Sequence, residues 1–187
     1  MEQIAFTTSR RAVTIFLAKI PLLVLLPVLM SHPARAAEEY EVKAAFLLNF
    51  TKFVGWPPDA FADSHSPLAI CVLGEDPFGN ALNEIVRGEA VNGHAVTVQR
   101  IRRAPESKAC QVLYFAAPER EAVRLLADLG PGVLTIGEGD KFLREGGMIA
   151  FVIEDRRVRF DINQSAAAKA MLMLSSRLMM VARTVVR

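Results

Sequence analysis

Short apolar runs that stop at glycine alternate with stretches of helical spacing along most of this chain. Leu68-Ala69-Ile70-Cys71-Val72-Leu73 is six apolar residues closed by Gly74. A run this short and rich in β-branched residues reads as a strand buried on both faces. Cys110 to Ala116, with Val112-Leu113-Tyr114-Phe115 at its centre, and Val133 to Ile136 before Gly137 repeat the pattern. Ala95 to Ile101 alternates instead, setting Val96, Val98 and Ile101 against Thr97, Gln99 and Arg100, as a strand with one wet face does. An Asn92-Gly93 turn signal precedes it.

The intervening segments predict helices. Val42, Ala45, Phe46, Phe50 and Phe53 recur at three- and four-residue spacing, which predicts a helix over Glu38 to Trp56, stopped by Pro57-Pro58. Asn80 to Arg87, closed by Gly88, and a stretch from Pro118 to Gly130 predict two more, and Lys141 to Arg144 a single turn. Met148 to Glu154 and Arg157 to Ile162 predict a hairpin around Asp155-Arg156. Ser165 to Val186 predicts one long helix. Ala166, Ala170, Leu174, Leu178 and Val181 lie along one face of it, widened by Met171, Met173, Met179 and Met180. Strands alternating with helices predict a single α/β domain: a mixed, mainly parallel sheet with helices on both faces, in three α/β/α layers.

The first residues stand outside this pattern. Arg10, Arg11 and Lys19 precede an apolar stretch from Ile20 to Met30, and Ala34-Arg35-Ala36 has the form of a cleavage site. Residues 1–36 are therefore predicted to be a secretory signal peptide cleaved after Ala36, leaving 37–187 as the exported domain. The alternative is a retained anchor, for which the apolar stretch is short of the about 20 residues a membrane helix needs. The leader also changes the charge. The chain has 22 basic and 20 acidic residues, and four of the former and one of the latter lie in the leader. The exported part, with 18 and 19, carries a net charge of −1. The basic arginines near 100 and 156 are thus read as solvated faces, and a nucleic-acid partner is excluded.

Export bears on Cys71 and Cys110, the two cysteines of the chain. In an oxidising compartment two cysteines read as a structural disulfide before a metal site or a nucleophile, with two buried thiols as the alternative. Catalytic apparatus is missing from the sequence. His65 and His94, the histidines of the exported part, both fall in turn-like stretches, and no Gly-x-Ser-x-Gly elbow or Walker loop is present. Nothing implies a metal or a cofactor. The loops after two strands, at Gly74, Glu75 and Asp76 and at Gly137 and Asp140, stand where α/β folds take ligands, and are the candidate ligand loops. Phe53 and Trp56, with Met171, Met179 and Met180, are candidate partner contacts; core packing is the competing account of each.

Several segments together resemble the YfiR family of bacterial periplasmic proteins. They are Val42 to Phe53 with Trp56-Pro57, Cys71-Val72-Leu73-Gly74 with Pro77-Phe78-Gly79, Cys110 to Leu113, Leu134 to Gly137, Gly146 to Ile149 with Phe160 to Asn163, and Ser175 to Leu178. The resemblance implies a non-enzymatic periplasmic repressor. It would bind the periplasmic sensory part of an inner-membrane diguanylate cyclase, lower cyclic di-GMP, and so control biofilm formation. An outer-membrane lipoprotein would relieve the restraint. The resemblance also implies a Cys71–Cys110 disulfide. The second bridge of some family members has no cysteines here. A homodimer is left open, and the alternative function is a periplasmic small-molecule-binding domain without catalysis.

Overall fold

The computed structural model describes residues 32–103, 106, 109–116 and 119–187, so the predicted leader up to residue 31 lies outside the described residues. Helix α1 (His32–Thr51) leads into a two-residue strand β1 (Val54–Gly55) and a 3-10 turn over Pro58–Ala60. Strand β2 (Leu68–Gly74) and helix α2 (Ala81–Val86) follow, then β3 (Ala90–Val91), β4 (His94–Ile101) and β5 (Val112–Ala116). Helix α3 (Glu119–Asp128), β6 (Leu134–Glu138), α4 (Gly139–Arg144), β7 (Ile149–Glu154) and β8 (Arg157–Asn163) complete the predicted run. The chain ends with α5 (Gln164–Lys169), β9 (Met173–Leu174), α6 (Ser176–Val181) and β10 (Thr184–Val186).

One eight-stranded sheet runs in the order β10-β8-β7-β6-β5-β2-β4-β3. Its centre is parallel: β2 pairs with β4 and β5, β5 with β6, and β6 with β7. The β7–β8 and β3–β4 hairpins are antiparallel. Both predicted turns have the backbone that two-residue hairpins require, with Asn92 and Gly93 at φ 52° and 89° and Asp155 and Arg156 at 48° and 63°. The alternation along each strand sorts the core into two layers. Ile70, Val72, Tyr114, Ile136 and Phe151 face α1 and α2, while Ala69, Cys71, Leu113, Phe115 and Ala150 face α3 and α4. This is the predicted three-layer α/β/α arrangement.

The disulfide joins Cys71 on β2 to Cys110 just before β5, with Cα atoms 5.8 Å apart, inside the second layer. Gln111 reinforces the same junction: its side chain accepts from Ala69 N–H at 2.9 Å and donates to the Ala60 carbonyl at 2.7 Å. A buried amide with both ends satisfied fixes the register between neighbouring segments.

Two expectations are corrected. The predicted stripe of α1 holds in part: Phe50 is buried and Ala45 and Phe46 are partly buried, but the buried face is shifted away from Val42. Lys43, Ala44, Leu47, Leu48 and Thr51 are buried, whereas Val42 is 42% exposed. Polar Lys43 and Thr51 can face inward because each is satisfied there, Thr51 by donating to the Leu48 carbonyl at 2.6 Å and Lys43 by carboxylates. The long C-terminal helix is also absent. Asn163 caps α5 through Ala166 N–H, Met171 turns the chain with φ 58°, and Ser175 caps α6 through Leu178 N–H. Beyond it, β-branched Thr184, Val185 and Val186 pair in parallel with Asp161, Ile162 and Asn163 of β8. Arg183 fastens this return by bidentate pairing with buried Asp161.

Candidate functional site

The direction of the chain changes around β2. From β2 it passes to β4 on one side, then crosses to β5 on the other. In open parallel sheets the loops at such a point diverge, leaving a crevice outside the carboxyl ends of the two strands. An open cleft of about 480 Å3 lies there. Glu75, Asp76 and Pro77 line it from the end of β2, Phe115 and Ala116 from the end of β5, and Tyr40, Tyr114 and Glu138 from α1, β5 and β6. A second cleft beside it shares Glu138 and adds Lys43, Asp140, Phe151 and Arg183.

Glu138 is the hinge of this region. Its Oε1 accepts from Lys43 Nζ at 2.8 Å, from the Tyr40 hydroxyl at 3.0 Å and from the Tyr114 hydroxyl at 2.5 Å. Its Oε2 has no partner among the described residues. Lys43 also pairs with Glu39 at 2.6 Å, and its ammonium lies 4.3 Å from the centre of the Tyr40 ring. Lys43 is fully inside the protein, whereas Glu138 reaches the surface with its side chain 42% exposed. The rings beneath are locked edge-to-face, Phe78 on Tyr40 at 5.5 Å and on Tyr114 at 4.7 Å.

This geometry sets the ionisation of every member. Burial works against the charged form of Glu138, but the hydrogen bonds from Lys43 and Tyr114 outweigh it and hold the carboxyl below its usual range. Burial likewise opposes the Lys43 charge, and hydrogen bonds to Glu138 and Glu39 overcome it, raising the ammonium above its usual value. Burial first, and then the Glu138 charge, pushes both Tyr114 and Tyr40 upward. These are the two tyrosines of the chain. Absorbance at the tyrosinate band should therefore show less than one tyrosine ionised at pH about 10.5 in the native protein, against about one and a half in denaturant. The linkage has a sign. Unfolded Tyr and Lys release protons above pH about 10 while the folded groups keep theirs, so stability falls with rising pH there. The depressed Glu138 adds stability above pH about 4.3, and that part is lost as pH falls toward its folded value. Free native tyrosine titration near pH 10 would contradict the arrangement.

The structure divides the predicted ligand loops. Glu75 and Asp76 share the first cleft and Asp140 lines the second. Gly74 turns the chain at the end of β2 with φ 100°. Gly137 is not a loop residue: it lies within β6, where the Phe142 ring covers its α-carbon. Asp76 is already engaged, by Arg100 at 2.9 Å and by Phe78 N–H at 2.8 Å. Lys43, Tyr40, Tyr114 and Glu138 are not among the residues that the sequence pattern points to. A lysine on the apolar side of α1 and a hydroxyl inside a buried strand are the signals it holds for them.

The predicted partner contacts fall elsewhere. Phe53 and Trp56 follow α1 rather than ending it. Trp56 is partly buried, donates to the Gln111 carbonyl at 3.4 Å and packs against Phe61. Pairing of β1 with β9 sets Gly55 opposite Met173, and Ser175 N–H donates to the Phe53 carbonyl at 3.0 Å. Met171 and Met180 are exposed, at 52% and 75%, while Met179 packs against the core. Among the described residues no group of three His, Cys, Asp or Glu side chains is placed to hold a metal ion, and no helix is long and apolar enough to cross a membrane.

Comparison with known proteins bears on the whole domain. No curated protein matches the sequence. Among solved structures, a conserved domain protein from Vibrio cholerae O1 biovar El Tor strain N16961 is similar with a TM-score of 0.50 and 8% identity, covering 78% of this chain. The matched part is 60% of that protein's length, and at this identity the likeness concerns the fold alone. The model of the YfiR/HmsC-like family matches residues 40–183, which takes in the switch-point cleft, the disulfide and the chain as far as Arg183. On that match the chain belongs to the YfiR/HmsC-like family.

Proposed function

We propose that the protein is a periplasmic negative regulator that binds the periplasmic sensory part of an inner-membrane diguanylate cyclase and lowers cyclic di-GMP. It does so without catalysis of its own. Family membership over residues 40–183 carries the reading. The disulfide suits an oxidising compartment. Export would follow cleavage after Ala36, leaving α1 to begin at Ala37.

A repressor of this kind works by binding the inactive form of its target more tightly than the active form. The surface proposed for that contact is the β1–β9 ribbon and α6, where Phe53, Met171, Met173 and Met180 are exposed. Exposed methionines suit a surface that adapts to a partner. Met179 and Trp56 would contribute by supporting it from beneath. In this reading an outer-membrane lipoprotein relieves the restraint by capturing the repressor.

The test offers oxidised 37–187 to detergent-solubilised membranes of the source organism. A transmembrane diguanylate cyclase should be retained. Met173→Asp with Met180→Asp should weaken retention at least about tenfold with the melting temperature unchanged, as loss of central apolar contacts does. Deleting the gene should raise cyclic di-GMP. An unchanged level across growth conditions would refute the regulator reading.

A further inference from the structure

Five methionines lie beyond the predicted leader, and four of them, Met171, Met173, Met179 and Met180, fall within ten residues. The fold spreads that segment over a turn, β9 and α6, and sorts its apolar residues by type. The inward positions are leucine: Leu172 and Leu178 are buried and Leu174 packs against the core. The outward apolar positions are methionine: Met171, Met173 and Met180 are exposed, Met173 by 73%. Met173 lies opposite Gly55 in the β1–β9 ribbon, a residue with no side chain to shield it. Met179 packs partly against the core, and Met148, the fifth, is buried at 7% exposure just before β7. Leucine would supply apolar area outside as well as it does inside. What methionine adds is a sulfur lone pair that an oxidant can reach. No thiol competes for that oxidant, because Cys71 and Cys110 are joined and buried.

We infer, on the reading that this face docks the membrane partner, that Met171, Met173 and Met180 form a reversible oxidation site that switches the docking off. The oxidant is a hydroperoxide. The thioether sulfur attacks its outer oxygen, an S–O bond forms and the O–O bond breaks. The proton of that oxygen passes to the departing one, which leaves as water or an alcohol. Sulfur gives up two electrons and the peroxide takes them. The product sulfoxide is polar and carries an oxygen that accepts hydrogen bonds. Carried into an apolar contact with no donor opposite, that oxygen loses its water and gains nothing in return. The loss falls on the docking and not on the fold, because the three side chains are already in water. Reversal is by a sulfoxide reductase. Its dithiol takes the oxygen away as water and becomes a disulfide. The buried Cys71–Cys110 bridge is out of reach of that reductant.

The experiment treats disulfide-bonded 37–187 with hydrogen peroxide, removes the excess with catalase, and maps the added oxygen by peptide mass spectrometry. Met171, Met173 and Met180 should be oxidised at least about tenfold faster than Met148, which has to wait for local opening, with Met179 in between. The melting temperature should not move. Retention of the membrane cyclase should then fall at least about tenfold, as when central apolar contacts are lost. Methionine sulfoxide reductases for both epimers, with dithiothreitol, should restore it. Replacing the three together, as Met171→Leu, Met173→Leu and Met180→Leu, keeps the apolar surface, so this variant should be retained like the parent before and after peroxide. Oxidation of Met148 as fast as that of Met173 and Met180, or full retention after all three are oxidised, would overturn the assignment. Failure of the regulator reading shows separately, as an untreated control that retains no cyclase. The site is then decided by the mapping and by elution from a phenyl resin, which oxidation should make earlier in the parent and leave unchanged in the leucine variant.

Discussion

Replacing Cys71 and Cys110 together by alanine should lower the unfolding free energy by about 4 kcal/mol. The bridge closes a loop across a sequence separation of 39, and a loop of that length costs the unfolded chain about this much entropy when closed. Domains of this size are stable by about 5–15 kcal/mol, so the loss is a large part of the whole. Urea denaturation of the oxidised protein and the double variant measures it directly. The bridge is also sealed. Cys71 is fully buried and Cys110 nearly so, in the layer beneath α3 and α4. Reducing agent therefore has to wait for unfolding, and native protein should keep the bridge under conditions that reduce it quickly in urea. A midpoint unchanged by the double substitution would show that the β2–β5 junction is held by packing and by Gln111 alone.

Gly147→Ala should be the most damaging small substitution in the chain. The Phe142 side chain of α4 is buried between Gly137 on β6 and Gly147 just before β7. A methyl at Gly137 would lie 2.6 Å from a carbon of that ring, and one at Gly147 would overlap its opposite edge. With glycine on both sides and Phe115 5.3 Å away, the ring has nowhere to retreat. Overpacking of this kind costs about 1–3 kcal/mol, and the closed surroundings place Gly147→Ala toward the upper end. Neither glycine has a left-handed backbone, so the cost is one of space. Phe142→Leu should then rescue part of the loss in the double variant, a coupling that thermal unfolding of the four proteins in the cycle reads out. Additive losses would mean that the contact with Phe142 is not the cause.

Most of the fold is legible in the sequence, because buried strands and their glycine stops are local signals. Leu68–Gly74 appears with its predicted bounds, and the Asn92-Gly93 and Asp155-Arg156 turns follow from backbone preferences of two residues each. The bridge brings β2 beside β5, as the cysteine positions imply. The C-terminal segment departs from its local pattern for a specific reason. Helical spacing of apolar residues persists through Leu174, Leu178 and Val181 whether the helix is continuous or broken into short pieces. What breaks it are the left-handed turn at Met171, the new cap at Ser175 and a strand partner in β8, whose Asp161 receives Arg183. A carboxylate 22 residues away that receives Arg183 leaves no mark in a local pattern.

The site divides in the same way. Sequence alone placed Glu75, Asp76 and Asp140 at strand ends, since a ligand loop after a strand is a matter of chain order. Alone it also carries the expectation of an export leader and of a near-neutral charge once that leader is removed, and it lacks a Gly-x-Ser-x-Gly elbow or a Walker loop. Only the tertiary structure decided that Glu138 gathers Lys43 and both tyrosines, residues up to 98 positions away, at the edge of a cleft. It also decided that Gly137 lies within β6 against the Phe142 ring and not in the loop after it. The physical reason is common to these cases. Burial of a charge and the space around a ring depend on which distant segments meet, and a buried lysine is tolerable only beside the carboxylates that the fold delivers to it.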